Sequence, residues 1–335
     1  MGQRRLRPRR RRVGIALGAG GARGLAHVGV LQTLSSNGIP IDAVVGTSIG
    51  AVVGAAFAAG QIDVFEQRVR QLDWAAAARM FDPVWPRSGL LSGEGAAEWL
   101  ASLVGDWKIE DLAVPFAAVA VDLVTGEEVI IREGRVLDAI RASFSIPGLF
   151  VPLSQGRRVL VDGALRNPVP SSVLSEFGVD VRLAVNLHSQ PVREIVGRNA
   201  RVRQRTGRVA ARILDTLEER VGRFRRRKPK RILEHAEEVV GGPNLFEVLT
   251  ASMTIMEHEL ARYRLALEPV DVVLSPKVAG VRSFEFHKAR RAIQAGAREA
   301  ELHLPEIQRA VKRRRRAGRR NYASVSPSSP ARPNS

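Results

Sequence analysis

A serine set between glycines, Gly46-Thr47-Ser48-Ile49-Gly50, follows a short apolar run and precedes a stretch of small residues. In that setting a G-x-S-x-G sequence forms a nucleophile elbow, a sharp strand-to-helix turn that lifts the serine hydroxyl above the strand ends. Gly46 and Gly50 leave room for the turn, and the helix N-terminus behind Ser48 favours developing negative charge. The same letters also describe a tight glycine turn whose serine only caps a helix. A second glycine turn, Gly18-Ala19-Gly20-Gly21-Ala22-Arg23-Gly24, again separates an apolar run from a helical one. A dinucleotide fingerprint starting at Gly18 fails, because Arg23 stands at its last glycine position and no acid ends the second strand. No Gly-Lys-Ser/Thr follows, which excludes a Walker loop. Bare backbone N–H groups there can instead form an oxyanion hole, with Gly21 and Ala22 as donors and Ile49 as a third. Arg23 either anchors this loop through backbone carbonyls or is solvated.

A serine nucleophile needs a base. Six histidines are available: His27, His188, His235, His258, His287 and His303. His188 follows the apolar run Val181–Leu187, where a triad histidine could lie, but no acid partner is evident. His27 reads as packed or hydrogen-bonded within the first helix, and His258 and His287 read as surface residues. The other candidate is Asp162, in Leu160-Val161-Asp162-Gly163-Ala164 at the end of a short strand. A carboxylate beside a glycine can approach a hydroxyl closely and accept its proton. Asp-Gly is equally an ordinary turn signal.

These residues need a scaffold. Val13–Gly18 has the pattern of a strand buried on both faces, and Leu25–Leu34 that of a helix closed by Asn37-Gly38. Ile41–Val45 and Ile49–Ala59 repeat the pair, so the first sixty residues predict parallel strands and an α/β architecture. Residues 61–112 read as helical and polar, broken at Phe81–Pro86 and Ser88-Gly89, and suited to cap a cleft. Phe116–Asp122 and Glu128–Arg132 flank Thr125-Gly126 as a hairpin, and Val181–Leu187 and Val270–Leu274 are further central strands. Two decoys are set aside. Arg-rich residues 1–12 followed by Val13–Ala22 imitate a signal peptide, yet the apolar run passes straight into the glycine turn. The Gly46/Gly50/Gly54 spacing within Ala43–Gly60 imitates a transmembrane face but falls short of the ~20 residues a span needs. No transmembrane helix is expected.

Without a cysteine in 335 residues the chain has no disulfide, thiolate nucleophile or Cys-ligated metal. The net charge of +18 is concentrated in three segments. Residues 1–12 carry seven Arg and 311–335 eight Lys/Arg, neither with an acid, and residues 193–235 carry fifteen basic residues against five acids. The body between them is mildly acidic. The expected organisation is a basic disordered extension over 1–12, one hydrolase domain over 13–310 and a basic Ser/Pro-rich disordered tail over 311–335. A basic, partly flexible insertion occupies 190–242. Within it Val209, Ile213, Leu217, Val221 and Phe224 form an amphipathic pattern that suits an anionic membrane surface. The basic blocks lack interleaved aromatics and a recognised motif, so specific nucleic-acid binding is not expected.

Taken in order, Gly20–Gly24, Gly46–Gly50 and Asp162-Gly163-Ala164 resemble the motifs of the patatin-like phospholipases, above all the small bacterial members and the catalytic domain of neuropathy target esterase. Two further blocks share the resemblance, Gly24–Leu31 and Arg141-Ala142-Ser143-Phe144-Ser145-Ile146-Pro147-Gly148. It runs from about Val13 to about Leu302, with Ala19 and Ala164 where many relatives have glycine. The resemblance implies a three-layer α/β/α sandwich around a central, mostly parallel sheet. It implies a Ser–Asp dyad, with Ser48 the nucleophile, Asp162 the base and Gly163 and Ala164 in support. The Gly20, Gly21, Ala22, Arg23 and Gly24 turn, with Ile49, would form the oxyanion hole. No cofactor or metal is implied. The substrates would be phospholipids or lysophospholipids. With no signal recognised, the expected location is the cytoplasm, with peripheral membrane attachment through the basic segments. Trp85, Leu90, Leu91, Phe144, Leu149 and Phe150 are candidate walls of an acyl groove. The competing readings are a small-ester hydrolase or serine peptidase with the same elbow, and a basic nucleic-acid-binding protein with a vestigial hydrolase body.

Overall fold

Five apolar residues in a row, Val13–Leu17, offer no polar face to solvent, and such strands end up between two helical layers. The computed structural model describes residues 10–72, 89–91, 94–189 and 245–312. In it Val13–Leu17 is β1, fully buried near the middle of an eight-stranded sheet. Its parallel neighbours are β2 (Ala43–Thr47) on one side and β9 (Val181–Val185) on the other. β10 (Val272–Leu274) extends the parallel set beyond β9, and β4 (Phe116–Asp122) extends it beyond β2. The sheet then turns antiparallel through β8 (Arg158–Asp162) and β7 (Leu153–Gln155), while β5 (Glu128–Ile131) forms the expected hairpin with β4. A separate parallel pair joins β3 (Gly89–Leu91) to β6 (Gly148–Phe150). The reading of 61–112 as helical missed β3, a three-residue strand too short to show a period.

Alternate residues along each strand face opposite sides of the sheet. Ile15, Leu17, Val44, Phe116 and Leu183 enter the larger apolar core, shared with α1 (Ala26–Ser36), α2 (Ile49–Ala58), α3 (Ile62–Arg70), α4 (Glu94–Val104), α5 (Val136–Ser143) and α7 (Ala289–Lys312). Ala16, Val45, Ala117, Val119 and Ala184 face the other way, toward Val173 and Leu174 of a 3-10 segment and Ala261 of α6 (Leu245–Leu267). The result is a three-layer α/β/α sandwich with a mostly parallel sheet. α2 is apolar all round because it lies beneath other helices. Among the described residues no helix is long and apolar enough to cross a membrane.

Arg10–Arg12, read from sequence as the end of a disordered extension, are held to the body. The Arg10 guanidinium makes a bidentate pair with Asp42 at 2.7 and 2.8 Å, and Arg11 donates to Ala310 O at 2.6 Å. The insertion 190–242 with its amphipathic pattern, the tail beyond Lys312, and Trp85 lie outside the described residues.

α7, which the sequence reading did not assign, packs along α1 through backbone contact. A Cβ on Gly29 would stand 2.0 Å from Ile293 O, and one on Gly296 would stand 1.9 Å from Ala26 O. Gly29→Ala must push these helices apart, so its urea midpoint should fall by the equivalent of ~1–3 kcal/mol. An unchanged midpoint would contradict this packing.

Candidate active site

β2 ends at Thr47 and α2 begins at Ile49, so the whole change of direction falls on Ser48. Its backbone sits at φ 57° and ψ −125°, and no other non-glycine residue among those described has a positive φ. Such a conformation costs roughly 1–3 kcal/mol and persists only where its surroundings enforce it. Here the Ser48 N–H donates to Ser143 Oγ at 2.9 Å, and the Ser143 hydroxyl in turn donates to Val119 O at 2.6 Å. Thr47 Oγ1 donates to Asn167 O at 2.8 Å. The flanking glycines are sterically required: a Cβ on Gly46 would lie 2.3 Å from Ala51 N, and one on Gly50 2.1 Å from Leu17 O.

β4 brings Asp162 to the serine. Thr47 of β2 is in register with Val119, and Asp162 of β8 is in register with Ala120, the next position along. The ends of two strands more than a hundred residues apart thus stand side by side. Ser48 Oγ donates to Asp162 Oδ2 at 2.6 Å, and the Ala164 N–H donates to Oδ1 at 2.8 Å. Gly163 lies flat against β4, where a Cβ would come within 2.2 Å of Val119 O. Both side chains are buried. Burial pushes the Asp162 carboxyl up to about 6, against the pull of the Ser48 and Ala164 hydrogen bonds that favour its charged form.

Of the residues expected to form an oxyanion hole, Gly21 and Ile49 line a cavity together with Ser48. As first residues of helical segments, their N–H groups have no acceptor within their own helix. Ala22 departs from the expectation. Its N–H donates to Ser283 O at 2.7 Å and so does not face a developing oxyanion. Arg23 is buried rather than solvated, and its Nε donates to Gly20 O at 3.1 Å, which fixes the turn from within. Gly24 allows Ile49 to pack directly on the loop.

The cavity encloses about 100 Å³ and is walled almost wholly by apolar side chains, among them Leu25, Val52, Phe65, Trp99, Phe144, Phe150 and Phe286. Phe144 and Phe150 meet edge to face, with the Arg141 guanidinium over both rings. Arg141 also donates to Val151 O at 2.7 Å, so the 141–148 block frames one wall. Of the remaining expected walls, Leu91 and Leu149 are buried but do not line this cavity.

No described histidine hydrogen-bonds to Ser48 or Asp162. His27 Nε2 donates to Gly18 O at 2.8 Å, and burial lowers its pKa to about 4. His188 is buried, with Nδ1 3.8 Å from Glu257 Oε2, and burial lowers its pKa to about 3. His287 is exposed as expected, whereas His258, also expected at the surface, has its Nδ1 buried without a hydrogen-bond partner among the described residues. His235 lies outside the described residues. Ser143, which holds the Ser48 N–H, escaped the sequence reading as a site residue and was visible only as part of the 141–148 block.

The raised Asp162 pKa has a consequence for stability. The folded protein holds this proton more tightly than an unfolded chain with the ordinary value of 3.8. That stabilisation is complete below the ordinary value and is lost as pH rises through about 6. Asp162→Asn avoids the buried charge, so at about pH 7.5 it should be more stable than the parent by up to roughly 3 kcal/mol. The two should converge under strongly acidic conditions in urea titrations. A variant less stable than the parent at neutral pH would contradict the burial cost.

The family model described as Patatin-like phospholipase matches residues 15–174. An uncharacterized NTE family protein of Mycobacterium tuberculosis is 33% identical over 320 residues, which span 85% of this chain and 89% of that protein. A second NTE family protein of the same organism is 41% identical over 172 residues, 49% of this chain and 28% of that protein. Patatin-like phospholipase domain-containing protein 7 of Mus musculus is 32% identical over 185 residues, 53% of this chain and 14% of that protein. With a relative matched along nearly its full length and the family's motifs gathered at one cavity, this chain belongs to the patatin-like phospholipase family, alongside its NTE members.

Proposed function

We propose that this protein is a serine acyl hydrolase that cleaves lipid esters, of phospholipase A or lysophospholipase type, through an acyl-enzyme on Ser48. The observation that carries the reading is the 2.6 Å hydrogen bond from Ser48 to a buried Asp162, at the end of an apolar cavity. Asp162 takes the Ser48 proton as Oγ attacks the ester carbonyl, and the tetrahedral oxyanion is met by the N–H groups of Gly21 and Ile49. The leaving alcohol or lysolipid takes the proton back from Asp162 as the ester bond breaks. Water then attacks the acyl-enzyme, giving its proton to the same carboxylate, and a fatty acid leaves while Ser48 regains its hydrogen.

A base with a pKa near 6 is largely ionised at neutral pH yet basic enough to share a proton in the transition state. The aromatic walls suit an acyl chain, which gains about 0.8 kcal/mol for each methylene taken from water. The mechanism draws on no metal or cofactor. The catalytic domain would span 13–310, with residues 1–12, the insertion 190–242 and the tail 311–335 as basic appendages. Through the Arg-rich run within 190–242 the enzyme would attach peripherally to anionic membrane in the cytoplasm.

Wild-type protein should release fatty acid from phospholipid or lysophospholipid micelles, with no loss of rate on adding chelator. Ser48→Ala and Asp162→Asn should each lower kcat by roughly 10⁴-fold. Full activity in Ser48→Ala would sink the proposal, and turnover of short esters without any release from micelles would favour the small-ester reading. In vesicle flotation, deleting 209–231 should weaken binding to anionic liposomes, and equal recovery of both forms would remove that segment from the account.

A further inference from the structure

Large apolar side chains stand in solvent along one side of α6. Val248, Leu249, Ile255, Met256, Tyr263 and Leu267 are each 43–79% exposed. At 3.6 residues per turn they fall within an arc of about 120°, a continuous stripe along most of the helix. Glu259, the acid within that arc, is paired with Arg262 at 2.7 Å. A helix normally turns such a stripe toward the core, and α6 already holds Ala261 against the sheet on its other side.

A second exposed apolar pair, Leu123 and Val124, sits at the turn between β4 and β5. β4 runs parallel to β2, so its last residues lie at the same end of the sheet as Ser48. Leu123 and Val124 follow three and four residues after Ala120, the partner of Asp162. α6 is tied to this end at two places. Glu257 stands 3.8 Å from His188, in the loop after β9. Arg264, next to Tyr263, donates to Glu128 Oε2 of β5 at 2.9 Å and to Arg166 O at 3.2 Å. Both apolar features thus belong to the end of the sheet that carries the dyad.

Single exposed apolar residues are ordinary on a protein surface, whereas a stripe and a loop tip gathered at one end mark a surface that meets an apolar phase or partner. Charge selects between these. The chain that leads into α6 carries six Lys/Arg and no acid over residues 225–231. A cationic run beside an exposed apolar stripe suits anionic lipid, with charge at the headgroups and apolar side chains below them. We propose that the α6 stripe and the Leu123–Val124 tip form one docking surface for an anionic lipid layer. Docked in this way, the dyad end of the sheet faces the layer that holds the substrate. The inference rests on the lipid-ester reading of the site, and its test separates the two.

The chain has no cysteine, so single ones can be introduced and labelled with an environment-sensitive nitrobenzoxadiazole dye. Full-length Val124→Cys, Met256→Cys and Leu302→Cys, each labelled, are titrated with phosphatidylcholine/phosphatidylglycerol vesicles, with and without nitroxide-bearing acyl chains. The dyes on Val124→Cys and Met256→Cys should shift to the blue and be quenched by the nitroxide. Leu302, also exposed but on α7 in the opposite helical layer, is the control and its dye should not respond. Leu123→Ser combined with Val124→Ser should weaken vesicle binding about tenfold and lower fatty-acid release from vesicles with it. Hydrolysis of soluble p-nitrophenyl butyrate should be unchanged in that variant. The proposal is overturned by absence of vesicle binding, by binding without a dye response at the two sites, or by an equal response from Leu302→Cys. Unaltered binding of the double serine variant would also overturn it. So would dyes already shielded before vesicles are added, which would show the surface covered by the chain itself or by a second copy. The dyes read contact rather than turnover and should respond equally in a Ser48→Ala background. Undiminished p-nitrophenyl butyrate turnover by Ser48→Ala would overturn the dyad reading instead.

Discussion

The Ser48–Asp162 hydrogen bond is a product of strand register. Neither residue could find the other through local sequence. β4 aligns with both parent strands, and Thr47 and Asp162 face consecutive β4 residues, Val119 and Ala120. Much of the remaining architecture protects that alignment. Gly46, Gly50 and Gly163 let backbone press against backbone, and Ser143 links the Ser48 N–H to Val119 O across the same strand. A one-residue slip in either pairing would turn the side chain to the opposite face of the sheet.

Burial then converts position into chemistry. Removing Asp162 from water raises its pKa into the range of a working base, while the hydrogen bonds from Ser48 and Ala164 keep it from remaining protonated at neutral pH. The apolar cavity beside it supplies the dry surroundings in which backbone N–H groups act strongly on an oxyanion. The site also holds a buried charge, on Arg23. A guanidinium that braces the Gly20 carbonyl from inside the protein brings its charge with it.

Sequence alone revealed the elements whose signals are local. The apolar run of β1, the small-residue turn at Ser48 and the Asp-Gly end of β8 were legible because each follows from a few adjacent residues. The choice of base was not. Asp162 and His188 both follow apolar strands, and it is the pairing of β8 with β4 that sets Asp162, not His188, against Ser48. Ala22 looked like an oxyanion donor by its place in the turn, but the Ser283 carbonyl that occupies its N–H comes from the far end of the chain. Arg23 carried no sign of burial, since arginine in a glycine loop is ordinarily solvated. β3 was too short for a periodic signal, and the α1–α7 contact depends on two glycines far apart in sequence.

The central claim is that Ser48 is activated by Asp162, and labelling with a fluorophosphonate followed by peptide mass mapping tests it most directly. The account predicts a single adduct on Ser48, formed faster as pH rises through about 6 and suppressed in Asp162→Asn. An adduct on another residue, or a Ser48 that labels equally fast when Asp162 is replaced, would contradict it.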